Sequence, residues 1–454
     1  MAPVTVAEDS YTSATREESY DRFVRDNFRR NYTANYVHGM LGMTGFRLLY
    51  APTLLPAYLH MITGSAALVG AGQALLQIGA IVSPIVGASR IEKLHRVMPT
   101  AVRVGGLMRV QILGLAVSAW LLTGMPLLAA TFGFLFLLGV FTGSQRVIFQ
   151  ALMSKVIPIE QRGRLQAWRN FTGGVIAAGL SYVAGVWFIG HEVLGNGYAT
   201  TFMLAFILTA IGLWVLQRLL VEPEALTVVP SIPFRQRLGQ FPALLADRSY
   251  RNFLIAQVLT IAARAASPFY VLYIGRTIPL DGKVIGLLSL AFLGADTVTN
   301  LIWGAMGDKT GFRRVFILSS VVWIGGVVLL MMAETLPMVV VAYLMFGAAM
   351  SGYLMASTTI VLEFGERQDI PMRLALSTTA EGLVSTVGLL SAGLIAAVFG
   401  YGSLLWLALA TLTAGLLVIV FAVRDPRSQV PGFKLCTLSK AGGRVVSSNM
   451  GVER

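Results

Sequence analysis

Residues 304–314 read GAMGDKTGFRR and separate two apolar stretches, 284–306 and 315–333. Each stretch approaches or exceeds the roughly 20 apolar residues that a helix needs to cross a bilayer. The stretch includes Gly304 and Gly311, and glycine in this loop permits a tight turn, because it tolerates backbone conformations that other residues avoid. This part of the sequence therefore predicts two antiparallel membrane-spanning helices joined by a short loop.

The composition of the whole chain fits a membrane protein. Of its 454 residues, 56% are hydrophobic and only 13% are charged, whereas about a quarter are charged in soluble proteins. The single cysteine, Cys436, excludes a disulfide scaffold, and the four histidines lack metal-ligand spacing. We expect no metal and no cofactor. We attribute the net charge of +13 to basic residues in loops at a membrane surface, and we expect no binding of nucleic acid.

Apolar stretches long enough to cross a bilayer occur twelve times and form two sets of six. The predicted spans are 34–61, 65–88, 100–122, 126–152, 167–190, 198–220, 252–275, 284–306, 315–333, 337–362, 374–399 and 402–423. The predicted segments are a cytoplasmic N-terminal part at 1–33, six-helix bundles at 34–220 and 252–423, a polar middle loop at 221–251, and a disordered tail at 424–454.

Basic residues predict the orientation of these spans. The 304–314 loop holds Arg313 and Arg314, and the termini and the other loops on its side hold most of the remaining lysines and arginines. The opposite loops hold only Arg276 and Lys283. This asymmetry places both termini in the cytoplasm, as in a bacterial inner membrane.

The N-terminal segment has the pattern of an amphipathic helix. Residues 15–18 form a candidate capping box, and Tyr20, Phe23, Val24 and Phe28 share one face. We interpret this as a helix lying on the inner leaflet, with a disordered lead as the alternative.

The two halves repeat each other in the same membrane sense. Arg164-Leu165 opens span 5 and Arg373-Leu374 opens span 11, 209 residues later. The same offset pairs Gly173 with Gly382 and Gly179 with Gly388, while Arg30-Asn31-Tyr32 before span 1 mirrors Arg251-Asn252-Phe253 before span 7. Internal repeats of this kind are typical of transporters.

The 304–314 loop resembles the G-x-x-x-D-[RK]-x-G-[RKF]-[RK]-[RK] loop of the major facilitator superfamily. The first-half equivalent, 87–96, reads GASRIEKLHR and keeps an acid, Glu92, but lacks the second glycine. The resemblance extends over about 34–423. It implies an all-α membrane protein with twelve transmembrane helices in two pseudo-symmetric six-helix bundles, which we expect to be monomeric. Its exporter motifs in spans 4 and 5 are absent, so the subfamily is not identified.

Arg103, Arg169 and Arg218 lie near the ends of their spans and are counted with the adjoining loops. Six other Arg, Asp and Glu residues fall within the predicted spans, where a charge is costly and therefore a functional candidate. The bases are Arg47, Arg109, Arg146 and Arg264, and the acids are Asp296 and Glu381. Counting along the helices places Arg264 and Asp296 near the midplane of consecutive spans, so we predict that they pair. Asp296 is then a proton-coupling carboxylate, with a static ion pair between two helices as the alternative.

The resemblance implies that spans 1, 4, 7 and 10 line a central cavity, which brings Arg47, Arg146 and Arg264 together. Further candidate lining residues are His38, Tyr50, Gln145, Gln150, Gln257, Tyr273, Tyr343 and Tyr353. The surplus of bases over acids favours an anionic solute. The alternative is that Arg109 faces a helix interface and Arg146 extends to the cytoplasmic side.

The resemblance also implies a latch at the cytoplasmic ends of the helices. Glu92 would meet Arg373, and Asp308 would meet Arg162 or Arg164. These pairs would close the inner side when the outer side is open.

We interpret the chain as a secondary transporter of a small solute rather than an enzyme. No ATP-binding motif occurs, so an ion gradient would supply the energy, with Asp296 and Glu381 as candidate proton carriers. The alternatives are a proton-coupled exporter of neutral or cationic compounds, a lipid-modifying membrane enzyme, and a receptor without transport activity.

Overall fold

A computed structural model describes residues 18–91, 94, 96–223, 244–364 and 370–423. The helices are, in chain order, one over 18–26, then Phe28–Tyr50 and Leu54–Thr63 (span 1), Ala66–Ile91 (span 2), Met98–Leu121 (span 3), Gly124–Val156 (span 4), Ile159–Val183 (span 5), Gly197–Leu219 (span 6), Arg248–Arg264 and Ser267–Ile274 (span 7), Gly282–Thr310 (span 8), Phe312–Met331 (span 9), Leu336–Leu362 (span 10) and Ile370–Leu417 (spans 11 and 12).

Within these residues, nine helices are long and apolar enough to cross a membrane. One of them contains both span 11 and span 12, which meet at a sharp bend at Gly400, where φ is 82°. Span 2 contributes a shorter apolar helix, Ala66–Ile81, and span 1 is interrupted next to Pro52, which cannot donate a backbone hydrogen bond. The all-helical membrane fold predicted from the apolar stretches is confirmed.

The 304–314 stretch forms the connection between spans 8 and 9. Gly311 ends span 8 with φ at 90°, a backbone conformation that favours glycine, as predicted. Gly304 lies inside the helix of span 8 and faces Met355.

Each half is closed on itself by an asparagine that precedes its first span. Asn31 exchanges two hydrogen bonds with the backbone of Val221, at 2.9 and 3.0 Å, just after span 6. Asn252 donates to the carbonyl of Ala422 at 2.8 Å, just after span 12. The repeat seen in the sequence therefore has the same structural use in both halves: the asparagine joins the first span of a bundle to its last.

The helix over 18–26 packs on the loop between spans 4 and 5. The Tyr20 hydroxyl donates to the Lys155 carbonyl at 2.9 Å, and Val24 is buried. The Lys155 ammonium in turn lies 3.1 Å from Glu222. Glu222 also accepts from the backbone N–H groups of Val97 and Met98, at 2.6 and 2.7 Å, where span 3 begins. The candidate capping residues 15–17 lie outside the described residues.

Candidate functional site

The two halves contact each other at glycine crossings. In the first crossing, between spans 5 and 8, a Cβ on Gly185 would lie 2.3 Å from the Cα of Gly286. In the second, between spans 2 and 11, a Cβ on Gly70 would lie 3.0 Å from the Cα of Gly393. Both crossings lie towards the side opposite to the chain termini, which we call the distal side. Small residues let backbones approach this closely.

Span 5 reaches its crossing through an unusual backbone segment. Gly185 belongs to a π-helical turn, Ala184–Ile189, that follows the regular part of the helix. Such turns are rare and occur frequently at functional sites. Closer to the middle of the spans, the hydroxyl groups of Thr53 and Ser289 form a hydrogen bond between the halves.

An ion pair also joins the halves near the middle of the spans. Nη1 of Arg47 lies 2.9 Å from Oδ2 of Asp296 and donates to the hydroxyl of Thr297 at 2.8 Å. Both charged side chains are mostly buried. Arg47 reaches span 8 beside Gly174, where a Cβ would lie 2.7 Å from Nη1, so glycine at this position of span 5 leaves room for the guanidinium group.

The predicted pair between Arg264 and Asp296 was wrong. The Arg264 guanidinium group lies over the ring of Tyr353, 4.2 Å from its centroid, and near the ring of Trp323 at 5.4 Å. It also donates towards the sulfur of Met350. Counting residues gave a similar depth for Arg264 and Asp296, but depth does not decide direction. Arg264 ends the first helix of span 7 and turns towards spans 9 and 10.

Other cavity candidates have separate positions. The amide of Gln257 accepts from the Ser377 hydroxyl at 2.6 Å, and Tyr50 bonds to Thr142 within the first bundle. Tyr343 is 1% exposed and packs against Phe346, so we reassign it from the cavity to the core of the second bundle.

The remaining candidates divide as follows. Tyr273 contacts the Met331 carbonyl at 3.5 Å, inside the second bundle. Arg146 and Gln150 are exposed, and Glu381 is half-buried. Arg109 donates to the backbone carbonyls of Thr209 and Gly105, both at 2.6 Å. The second interpretation of Arg109, a helix-interface residue, is therefore the one that the structure shows.

One further base, Arg169, extends into the first bundle, although its position in the sequence places it with the loop between spans 4 and 5. Arg169 lies in the first half of span 5. Its side chain passes span 1 at Gly39, where a Cβ would lie 2.5 Å from Nε. Its guanidinium group then reaches the ring of Phe149, 5.1 Å from the centroid. The sequence did offer one indication: Gly39 lies within span 1, where no turn requires a glycine.

Of the predicted latch, one partner is engaged within its own half. Arg373 lies 2.7 Å from Asp247, and its carbonyl accepts from the Tyr250 hydroxyl. Burial alone raises the pKa of the Asp247 carboxyl, but the hydrogen bond and charge of Arg373, with the N–H groups of Tyr250 and Ser249, hold that pKa below its usual value. Glu92 lies outside the described residues.

The other latch residues lie where spans meet loops. Arg162 donates to the carbonyls of Ile157 and Ser154, and Arg313 donates to the carbonyls of Ile419 and Val420 at the end of span 12. Asp308, Arg164 and Arg314 are exposed. The pairing of Asp308 with Arg162 or Arg164 stays a prediction for the conformer with an open distal side.

Comparison with known proteins bears on both the family and the fold. A family model described as Major Facilitator Superfamily matches residues 253–437. A variant of nucleoside transporter NupG covers 87% of this chain and 100% of its own, with 12% identity and a TM-score of 0.70. A D-xylose–proton symporter covers 88% and 98%, with 13% identity and a TM-score of 0.68. The human organic anion transporter MFSD10 covers 86% and 99%, with 14% identity and a TM-score of 0.57.

At these identities the structural similarity shows the fold alone. No curated protein matches the sequence. The family model covers the second half, which contains the 304–314 loop, and the fold extends over both halves. The second half of the chain therefore matches the major facilitator superfamily, and the whole chain has the multi-pass, all-helical fold of the transporters compared above.

Proposed function

We propose that this transporter moves a small anionic solute by alternating access and couples the movement to protons through Asp296. The observation that carries the proposal is the buried ion pair between Arg47 and Asp296, because its two charges belong to different halves. A change of charge at either residue therefore acts directly on the contact between the bundles. A buried ion pair is strongly destabilised when only one partner loses its charge.

The coupling step follows from the partners of Arg47. A proton on Asp296 removes the negative charge and leaves Arg47 held by Thr297 alone, at 2.8 Å. The freed guanidinium group then attracts an anionic group of the solute, since arginine presents several N–H donors to a carboxylate or phosphate. The solute thus replaces Asp296 as the partner of Arg47, and the bundles lose one of their mid-span connections.

Arg264 supports an anionic rather than a neutral solute. Among the described residues it forms no ion pair, and its charge is stabilised by the faces of Tyr353 and Trp323. Cation–π contacts leave the N–H edge of a guanidinium group available to a further partner. Arg47 and Arg264 then give the solute a positively charged surface in each half.

The distal contacts also define the conformer. We infer that both termini face the cytoplasm, on the basis of the basic loops, and therefore that this conformer is closed to the outside. The segments at 34–220 and 252–423 act as the two moving bundles, and we propose a monomer in a bacterial inner membrane. The glycine crossings separate when the transporter opens outward.

Proteoliposomes test the coupling. The solute is first identified by thermal-shift screening of anionic, neutral and cationic metabolites at two pH values, since a ligand stabilises the state that it binds. Asp296→Asn should then abolish acceleration of flux by a pH gradient yet leave solute exchange intact. Glu334→Gln, at an exposed carboxylate in the loop between spans 9 and 10, is the matched control.

Two results would contradict the proposal. Gradient-driven flux that persists in Asp296→Asn would exclude this carboxylate as the coupling group. Stabilisation by neutral or cationic metabolites, with none by anions, would exclude the anionic solute and favour the exporter alternative. Arg264→Gln should weaken binding of the identified anion at least tenfold.

A further inference from the structure

A cluster of basic and polar side chains lies inside the first bundle, apart from the Arg47–Asp296 pair. Arg109 from span 3 is 3% exposed, and Arg169 enters from span 5 through the space left by Gly39. His38 of span 1 and the guanidinium group of Arg169 both contact the ring of Phe149, at 5.0 and 5.1 Å from its centroid. Gln145 of span 4 lies beside Arg109, because a Cβ on Gly105 would contact both, at 3.0 and 3.1 Å.

Among the described residues, the cluster has no acidic partner and too few hydrogen-bond partners. Within the part of the chain that the structure describes, neither Arg109 nor Arg169 forms an ion pair. Gln145 is only 7% exposed and His38 only 8%. Five side-chain atoms here are buried without a hydrogen-bond partner: Nε and Nη1 of Arg169, Nδ1 of His38, and both amide atoms of Gln145. Buried polar atoms are normally hydrogen-bonded, so these five unsatisfied atoms in one place point to a site that binds a polar ligand.

There is also room for a ligand beside the cluster. Gly42 follows His38 by one helical turn and therefore lies on the same side of span 1. It is buried, yet apart from its two chain neighbours and the nearby backbone of its own helix, no atom lies within 4 Å of the position that a Cβ would take. A larger side chain at this position would occupy the space.

We propose that the first bundle binds a compact anion between Arg169, Gln145, His38 and Gly42. The two guanidinium groups supply the charge, and the N–H groups of Arg169 and the amide of Gln145 supply directed hydrogen bonds. The ligand is a small anion that accepts several hydrogen bonds, whether a free inorganic anion or an anionic group of a larger solute. The site lies within one half, so binding there does not depend on Asp296, which belongs to the other half.

Binding is measured on the purified full-length protein in nanodiscs, with sodium chloride, nitrate and phosphate as probes and gluconate at equal ionic strength as the reference. We expect a saturable increase in unfolding temperature with at least one probe. Arg169→Gln should weaken that binding at least tenfold, and Gly42→Leu should do the same by filling the space. Arg218→Gln, an exposed base in span 6, and Gly133→Leu, an exposed glycine in span 4, are the matched controls and should bind as the wild type does.

Equal effects of all salts, or unchanged binding in Gly42→Leu, would overturn the proposal even if Arg169→Gln fails to fold. The origin of the ligand is decided by competition. Displacement of the bound probe by an added organic anion indicates that the site takes the anionic group of a larger molecule. Binding of the probe that organic anions leave unchanged indicates a free inorganic ion.

Discussion

The crossing of Gly185 and Gly286 gives a direct test of which conformer the distal contacts stabilise. In Gly185→Ala, the new methyl group would lie 2.3 Å from the Cα of Gly286 and 2.4 Å from the carbonyl oxygen of Gly282. Carbon atoms in ordinary contact are about 3.5–4.0 Å apart. The obstructing atoms all belong to backbone, so spans 5 and 8 must separate by about 1 Å.

The cost of this overlap can be bounded. Overpacking of a well-packed contact costs about 1–3 kcal/mol, which corresponds to a change of about 5- to 150-fold in an equilibrium constant. In the proposed alternating-access cycle the crossing exists only when the distal side is closed, so the cost falls on that conformer. Gly185→Ala should therefore increase the ratio of distal-open to distal-closed molecules by about that factor.

Distances between spin labels measure this ratio. Leu194 and Met332 are exposed residues of the distal loops, one in each half, and Cys436 is replaced by serine before labelling. Gly185→Ala should enlarge the population with a long distance. Gly179→Ala is the matched control, because it lies on the same span with no atom within 4 Å of its Cβ position. A distance distribution equal to that of the control would refute the reasoning.

Three further predictions concern the ends of the spans. Asp247→Asn keeps a residue suited to begin a helix but loses the charge that faces Arg373. Because the pKa of Asp247 is lowered in the folded state, the stability that this charge contributes is present above pH about 3.9 and is lost as the pH falls further. The difference in unfolding temperature between the wild type and the variant should therefore shrink in acid. Glu222→Ala leaves two backbone N–H groups at the start of span 3 without their acceptor and should lower the unfolding temperature and speed hydrogen exchange there, at a cost of about 1–3 kcal/mol, whereas Glu334→Ala should change neither. Asp308→Ala should reduce the distal-open population in the spin-label assay, and no change would exclude the latch.

The fold followed from features that the sequence expresses locally. Apolar length predicted the spans, and the glycine at position 311 marked the turn after span 8. The asparagines at 31 and 252 were visible as a repeat, although their hydrogen bonds to the last span of each half were not. These features depend on residues that are close in the sequence, or on helix ends that lie at the same membrane surface. Both can be recognised from the sequence alone.

The charged residues were harder to place, because their partners depend on how helices face each other. Depth along a span suggested that Asp296 pairs with Arg264, whereas the packing of spans 1, 5 and 8 gives it Arg47. Arg169 was counted as a loop residue because it lies near the start of span 5. Its side chain enters the bundle only because Gly39 leaves a passage. Glycines that no turn explains were the neglected signal.

The asparagine ties at Asn31 and Asn252 have a consequence for how the molecule can be divided. Each asparagine joins the first span of a bundle to the end of its last span by hydrogen bonds. We therefore expect each bundle to stay together when the chain is cut between residues 223 and 244. Two separately encoded fragments, cut between these residues, should therefore assemble into an active particle when co-expressed. Asn31→Ala in the first fragment should prevent that fragment from folding, so that no active protein assembles.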